Sequence, residues 1–200
     1  MLSLVHEPEE PARAAPDPER EALAALDQAR FDDVLVILMR AYGTAVYRYC
    51  RQMTGEGDLA QEAHQMTFVQ AHEGLPRFSR RSSLRTWLLG IARHRCLDLL
   101  KMDRRRRQRF SPIEDAGEPP VPDGGAEDRL AGRSLARALA GCLQGLAPRA
   151  RAAVLLRFQQ GLSYPEIARQ SGEKAPALQV RVSRALPLLR RCLEGKGVVP

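Results

Sequence analysis

The chain has 200 residues, 44% of them hydrophobic, and a formal net charge of +7. This length suits one domain or two small ones, and the hydrophobic fraction excludes a chain that is disordered throughout. Only 5% of the residues are aromatic, whereas Ala, Leu and Arg, which favour helices over strands, are abundant. We therefore predict an all-α fold.

Charge is arranged in alternating blocks. Residues 1–30 hold seven acidic and three basic side chains, and residues 77–109 hold twelve basic and two acidic ones. Residues 111–129 are acidic again, and residues 146–196 hold ten basic and three acidic side chains. Two basic blocks separated by an acidic spacer indicate two contacts with one polyanion. The alternative is that these arginines lie on solvated helix faces and bind no polyanion.

The four cysteines, Cys50, Cys96, Cys142 and Cys192, are too far apart in sequence to form the short motifs typical of metal sites. Each falls in a helical pattern, so we expect four small buried apolar side chains and no metal or cofactor. The chain shows neither a signal peptide nor an apolar run of membrane length. These features predict a protein of a reducing, cytoplasmic compartment with no membrane insertion.

The chain order predicts two helical domains. Residues 1–30 have the composition of a flexible acidic, proline-rich tail, and residues 31–110 form the first domain. Its first helix has apolar positions at Phe31, Leu35, Leu38, Tyr42, Ala45 and Tyr49 and ends at Gly55 and Gly57. Asp58 and Gln61 predict a capping box for the next helix, which ends at Gly74. After a short basic loop, Ser83 is suited to cap a long helix that ends in the arginines 104–107.

Residues 111–128 are rich in Pro, Gly and acidic side chains and predict a flexible linker. Residues 129–194 predict a second domain of four helices. Ser163 and Glu166 form a capping box for a short helix, Gly172 ends it, and a longer basic helix follows from about Ala175 to Leu193. This outline is typical of a helix-turn-helix. Pro187 should kink or shorten the last helix.

In a helix-turn-helix the first turns of the second helix reach base edges in the major groove. Those turns present Lys174, Ala177, Gln179, Val180, Arg181, Ser183 and Arg184. In the first domain, a basic loop, Trp87 and a basic helix suit unstacked bases and their phosphates. For Trp87 the alternative is core packing against Ile91, and for the arginines 104–107 it is a solvated helix end.

These residues carry a resemblance to a known family. Segments 68–72, 77–78, 83–88, 91–94 and 97–100 resemble region two of bacterial RNA polymerase sigma factors of the extracytoplasmic-function (ECF) class. Segments 161–168 and 181–185 resemble region four of the same class. The resemblance covers about residues 31–110 and 130–194, and the order and spacing of the two regions fit.

The resemblance implies a promoter-specificity subunit that catalyses no reaction itself. Its partners would be the RNA polymerase core, promoter double-stranded DNA and the unpaired minus-ten strand, with an anti-sigma factor allowed but not demonstrated. It places polymerase binding at Asp58, Gln61, Glu62 and Gln65. Minus-ten binding falls on Phe78, Arg80, Arg81, Ser82, Ser83, Arg85, Arg93, His94, Arg95 and Lys101. The second domain would read the minus-thirty-five element with the helix-turn-helix residues named above.

The chain also departs from the family pattern. Met66 stands where an acidic residue is usual, and Lys174 is a poor N-cap with the wrong charge for a helix N-terminus. Besides an unrelated helical bundle that binds a partner, two rival interpretations remain at this point. One is a helix-turn-helix regulator that acts without polymerase, which has no need of the first domain. The other is an enzyme using His64, His72, His94 or Glu62, for which no third catalytic group is evident.

Overall fold

The computed structural model describes residues 17–110 and 127–198, and for Phe110 and residues 127–133 it describes the backbone alone. In these ranges the chain forms α1 (Pro18–Asp27), α2 (Phe31–Thr54), α3 (Gly57–Gly74), α4 (Leu84–Phe110), α5 (Glu127–Gln144), α6 (Pro148–Val154), α7 (Tyr164–Ser171) and α8 (Ala175–Gly195). A 3-10 turn (Leu75–Arg77) follows α3, and a π-helical turn (Leu155–Gln159) extends α6. The all-α prediction is confirmed.

Helix α1 lies where we predicted part of a flexible tail, so that prediction is wrong for residues 18–27. Asp17 accepts a hydrogen bond from the Glu19 backbone N–H at 3.0 Å, and Pro18 occupies the first turn, where its missing N–H has no cost. Ala22 and Ala25 are buried, and α1 packs on α2. Asp17, Pro18 and the first-turn acidic residues Glu19 and Glu21 are the start signals of this helix. Residues 1–16 lie outside the described part of the chain.

The first lobe consists of α1–α4, with α2 in contact with the other three helices. Helix α2 ends where predicted, because Gly55 adopts a φ of 79° that side chains with a Cβ rarely tolerate. Leu38 and Tyr49, two of the predicted apolar positions, are fully buried. The capping box predicted for Asp58 is wrong, since α3 begins at Gly57 and its N-cap residue makes no side-chain hydrogen bond to the helix.

The second lobe consists of α5–α8, and its four helices follow the predicted order. Ile167 of α7 and Leu178 and Val182 of α8 are buried together in its core. Pro187 lies inside α8 without shortening it, so that part of the prediction is wrong. Both Pro187 and Ser183, whose carbonyl loses its helical partner, are exposed, so water can hydrate the freed carbonyl.

The capping box that begins α7 is confirmed in both directions. The Glu166 N–H donates to Ser163 Oγ at 3.4 Å, and the Ser163 N–H and hydroxyl donate to Glu166 Oε2 at 2.7 and 2.5 Å. The hydroxyl bond, with the backbone bond, lowers the pKa of Glu166 below its usual range. The box fixes the start of α7, and Gly172, whose φ is 67°, ends the helix as predicted.

We expect Ser163→Ala to lower the free energy of unfolding by about 1 kcal/mol, measured by urea denaturation of the full chain. A carboxylate with a lowered pKa stabilises the fold above its unfolded pKa and loses this effect as the pH falls through the folded value. The cost of Ser163→Ala should therefore shrink below about pH 4. Ser183→Ala, whose hydroxyl donates only within its own helix, serves as the control. Equal losses in the two variants would count against the box.

The two lobes pack against each other. The predicted linker lies outside the described residues apart from its last two, which belong to α5. Helix α2 contacts α5 and α6, and α4 contacts α6 and α7. Arg151 of α6 is buried between the lobes and donates to the backbone carbonyls of Met53 at 2.5 Å, Gln144 at 2.7 Å and Leu146 at 3.2 Å. Burial lowers the pKa of Arg151, and these carbonyls replace the water that its guanidinium has lost.

Two of the four cysteines are free thiols, and the other two are joined by a disulfide. Cys50 and Cys96 are free and fully buried in the first lobe, as predicted, and a hydrogen bond with Cys50 and burial raise the pKa of the Cys96 thiol. Cys142 of α5 and Cys192 of α8 are joined by a disulfide with a Cα–Cα distance of 5.7 Å. The expectation of four separate buried apolar side chains is therefore wrong for this pair, because α5 and α8 pack side by side.

Candidate nucleic-acid interface

The loop of residues 78–83 connects the 3-10 turn to α4, and its end at Ser83 is fixed. Ser83 Oγ accepts from the Thr86 N–H at 3.0 Å, so Ser83 caps α4 as predicted. The carboxylate of Glu19 on α1 also accepts from the Leu84 N–H at 2.5 Å and the Arg85 N–H at 3.4 Å. Because a side chain from a separate helix satisfies these backbone donors, α1 holds the end of the loop in place.

The middle of the loop is anchored at Arg80. This residue adopts a φ of 54°, in the left-handed region where a side chain is strained, and its guanidinium pairs with Asp27 at the end of α1. Both Glu19 and Asp27 lie in the predicted tail and were not among the predicted site residues. The cap at Asp17, Pro18 and the apolar spacing of Ala22 and Ala25 were the signals for the helix that carries them.

The aromatic side chains of Phe78 and Trp87 pack against each other at the start of the loop and in α4. The rings of Phe78 and Trp87 lie 5.1 Å apart between centroids, and both side chains are half-buried. Trp87 packs against the hydrophobic core, and its ring is tilted by 51° to that of Phe78. A cavity of about 340 Å³ opens beside the rings and is lined by Ser79, Arg81, Ser82, Trp87, Gly90, Ile91, His94, Arg169 and Gln170.

Helix α4 carries the remaining basic candidates of the first lobe. His94 and Lys101 are exposed, with His94 Nδ1 within 2.8 Å of the Gly90 carbonyl, and Arg95 pairs with Asp98 at 3.0 Å. The arginines 104–107 form an exposed helix end. Among them Arg107 pairs with Glu56 and with Asp103, and the hydrogen bond with Glu56 is the main cause that raises its pKa. This stretch is a cationic, solvated surface at the end of α4 that lies away from the loop.

Helix α8 presents most of the predicted reading residues to solvent. Its buried side, Leu178, Val182 and Ala185, packs on the rest of the second lobe. Lys174 occupies the N-cap position without a side-chain cap, as its chemistry predicted. The exposed residues are Lys174, Ala177, Gln179, Val180, Ser183 and Arg184. Arg181 is half-buried and pairs with Glu173 at 2.5 Å.

Three of the predicted DNA-binding arginines lie between the lobes. The side chain of Arg93 is only 6% exposed and pairs with Glu173 of the second lobe at 3.0 Å. Arg85 Nη2 donates to the Gln160 carbonyl at 2.7 Å. Burial lowers the pKa of Arg93, whereas the hydrogen bond from Arg181 is the main cause that lowers the pKa of Glu173. The structure thus joins Arg93 and Arg181 through one carboxylate, although we predicted them in separate sites.

The predicted polymerase-binding residues share one face of α3. Asp58, Gln61, Glu62 and Gln65 are all exposed. A groove of about 630 Å³ lies beside them between α2 and α3, and both Gln61 and Gln65 line it. Met39 and Val69 line this groove and are 48% and 47% exposed, and Met66 of α3 is 42% exposed. Such a cluster of exposed apolar and polar side chains is typical of a protein-binding surface.

The histidines named as candidates for an enzyme each contact a different partner. Nε2 of His64 contacts the Gly43 carbonyl at 3.2 Å, Nε2 of His72 contacts Asp32 at 2.8 Å, and His94 contacts Gly90. Within residues 17–110 and 127–198, no group of three His, Cys, Asp or Glu side chains could hold a metal ion. In the same ranges, no helix is both long and apolar enough to cross a membrane.

Known proteins match both lobes. The family models Sigma-70 region 2 and Sigma-70 region 4 match residues 38–108 and 136–189. The ECF RNA polymerase sigma factor SigC of Mycobacterium tuberculosis is 33% identical over 179 residues, which cover 86% of this chain and 90% of SigC. The relative SigE of Mycolicibacterium smegmatis, also an ECF sigma factor, is 29% identical over 153 residues, 76% of this chain and 59% of SigE.

A solved structure shows the same fold. The sigma factor RpoE of Bartonella quintana, crystallised in complex with the anti-sigma factor NepR, is 23% identical with a TM-score of 0.63. The match covers 78% of this chain and 94% of RpoE. At this level of identity the likeness concerns the fold alone, and it extends over both lobes.

Proposed function

Because the chain belongs to the ECF class of RNA polymerase sigma factors, we propose which of its surfaces bind polymerase and which read the promoter. As a promoter-specificity subunit, the protein binds the polymerase core and promoter DNA to initiate transcription. Polymerase binding is assigned to the exposed face of α3 with Asp58, Gln61, Glu62 and Gln65. The apolar groove next to these residues supports this assignment, because it supplies the contact area that four polar side chains lack.

Minus-ten recognition is assigned to the loop of residues 78–83 and to α4. The observation that carries this proposal is the way the loop is held: Glu19 and Asp27 fix it from α1, and a cavity opens beside it. A rigid polar loop next to a cavity is suited to receive an unstacked base, while Arg81 and the exposed basic side chains of α4 can bind phosphates. The contributing residues are Phe78, Arg80, Arg81, Ser82, Ser83, Arg85, Arg93, His94, Arg95 and Lys101.

Minus-thirty-five recognition is assigned to α8, with Lys174, Ala177, Gln179, Val180, Arg181, Ser183 and Arg184. Gln179 can pair with adenine and Arg184 with guanine or phosphate, whereas Ala177 and Val180 can contact a thymine methyl group. The factor itself makes and breaks no bond, since the polymerase performs the chemistry. It acts with the polymerase in the cytoplasm. A regulator working without polymerase is the weaker candidate, because it leaves the whole first lobe without a role.

We also propose that an anti-sigma protein holds this factor inactive, as NepR accompanies RpoE in the solved complex. The two lobes face each other closely enough for one partner to contact both.

The test is transcription by purified polymerase core with this factor on genomic DNA, followed by mapping of the start sites. We expect a defined set of start sites that core alone does not use. Arg184→Ala should weaken binding at the upstream element by about 1–3 kcal/mol in footprinting. Arg190→Ala, which removes the same charge from the far end of α8, is the control. Start sites identical to those of core alone would overturn the proposal, and an unchanged footprint with Arg184→Ala would remove Arg184 from the site.

A further inference from the structure

Helix α1 lies outside the residues that match the sigma-factor models, yet its side chains bond to the minus-ten loop (residues 78–83) and to the helix that follows it. The Sigma-70 region 2 match begins at residue 38, and α1 ends at Asp27. The Glu19 carboxylate accepts from the Leu84 N–H at 2.5 Å and from the Arg85 N–H at 3.4 Å, where the loop runs into α4. A side chain from outside the matched region therefore completes the start of α4.

The first backbone N–H groups of α4 need acceptors from outside that helix, because no carbonyl lies one turn before them. Ser83 Oγ accepts from the Thr86 N–H at 3.0 Å. Glu19 supplies the acceptors for Leu84 and Arg85, and its negative charge lies at the end of α4 where the backbone dipole is positive. Removing the Glu19 carboxylate therefore takes a restraint from the first turn of α4 and from the end of the loop joined to it.

Contacts away from the loop hold Glu19 in place. Its own N–H donates to Asp17 Oδ1 at 3.0 Å, and the Tyr42 hydroxyl of α2 donates to Glu19 Oε2 at 3.4 Å. Burial and the neighbouring Glu19 carboxylate raise the pKa of Tyr42, so the hydroxyl keeps its proton. Ala22 and Ala25 are buried, and they fix α1 against α2. Glu19 is thus oriented before any DNA binds.

The bend in the middle of the minus-ten loop depends on the same helix. Arg80 has a φ of 54°, and its guanidinium pairs with Asp27 at the end of α1. The two side chains are 51% and 58% exposed, so their ion pair contributes little stability. The strain of a left-handed residue other than glycine commonly exceeds such a contribution. The ion pair therefore cannot maintain the bend by itself, and the restraint at Glu19 is needed as well.

We propose that Glu19 is a positioning residue for promoter opening, which contacts no DNA itself and holds the minus-ten loop in the shape that receives the unstacked base. This role rests on the proposed function, which assigns the loop to the minus-ten element. A loop that is already ordered loses no conformational freedom when a base binds to it. Without Glu19, binding of the base must also order the loop. The exposed basic side chains of α4 still attract phosphates, so the loss falls on the base and not on the DNA backbone.

The test uses Glu19→Ala in the full chain bound to polymerase core. Its ligand is a fluorescent single strand with the minus-ten element of a promoter mapped in the transcription experiment, and each base in turn is replaced by an abasic site. With wild type, the abasic site at the unstacked position should weaken binding about tenfold, because the contacts of one base have an effect of that size. With Glu19→Ala this penalty should fall below about threefold, whereas affinity for the abasic strand should stay within about twofold of wild type.

Three further variants separate the loop from the charge and from the fold. Glu21→Ala removes the same charge from the same helix, where Glu21 pairs with Arg40, and it should keep the full penalty. Glu19→Gln retains an oxygen that can accept from the Leu84 N–H, so its penalty should lie between those of Glu19→Ala and wild type. Asp27→Asn weakens only the exposed pair with Arg80, and it should also lower the penalty.

A wild-type penalty in Glu19→Ala would overturn the proposal. Equal weakening of the intact and abasic strands would overturn it too, because Glu19 would then serve the fold and not the loop. Circular dichroism shows whether each variant folds. If Glu19→Ala does not fold, Asp27→Asn decides, and an unchanged penalty in that variant counts against the proposal. If wild type shows no abasic penalty at any minus-ten position, the assignment of the loop to the minus-ten element fails first.

Discussion

Replacement of residues 79–83 by glycine and alanine should leave polymerase association nearly intact and abolish opening of the promoter. Strand separation requires an acceptor for an unstacked base, and flipping that base costs a few kcal/mol of stacking and pairing. Ser82 and Ser83 can hydrogen-bond a base edge, and the neighbouring cavity can receive it. The polymerase-binding face on α3 is a separate surface, so association should survive. Permanganate reactivity of promoter thymines measures the opening.

A matched control distinguishes the effect of losing the loop from the effect of losing its two positive charges. The loop replacement removes two arginines, and Arg104→Ala with Arg105→Ala removes the same charge from the exposed end of α4. This control should weaken DNA binding, most strongly at low salt, but still allow opening. Normal permanganate reactivity in the loop variant would show that the loop does not open the promoter.

Reduction of the Cys142–Cys192 disulfide should lower the free energy of unfolding by about 4 kcal/mol. The bond closes a loop with a sequence separation of 50 residues, and a cross-link of that span removes conformational entropy from the unfolded chain. Urea denaturation with and without reductant measures the loss. Thiol titration of the oxidised, unfolded protein should find two free thiols, those of Cys50 and Cys96.

Cys192→Ser provides the control for this measurement, because reductant should then have no effect on its unfolding. Four titratable thiols in protein prepared under oxidising conditions would contradict the disulfide. Identical unfolding of the oxidised and reduced wild type would show that the cross-link leaves the free energy of unfolding unchanged.

Local signals predicted the second lobe well. The capping box of Ser163 and Glu166 and the turn at Gly172 each depend on residues close in sequence, so a pattern of a few residues identifies them. The same kind of reasoning failed at α1, because acidic residues and prolines occur both in tails and in the first turn of helices. The spacing of Ala22 and Ala25, which are buried against α2, is the signal that distinguishes the helix from a tail.

The sequence predicted which residues are exposed on single helices, but it did not predict the contacts between the two lobes. The exposed face of α8 follows from helical periodicity, and six of the seven predicted residues are exposed, whereas Arg181 is half-buried. The bond from Arg93 to Glu173 joins residues 80 apart in sequence. Such a pairing depends on how two lobes pack, which no local pattern encodes. For the same reason the pairing of Cys142 with Cys192 could not be predicted, because four cysteines at wide spacing allow several pairings.

The covalent link between α5 and α8 also limits how far the molecule can be stretched. When a single molecule is pulled from its two ends, the chain between Cys142 and Cys192 cannot take part in the extension, because the disulfide joins the ends of that segment. The oxidised protein should therefore reach a fully extended length about 170 Å shorter than the reduced protein. In optical tweezers, adding a reductant to an already unfolded molecule should release this hidden length in one abrupt step.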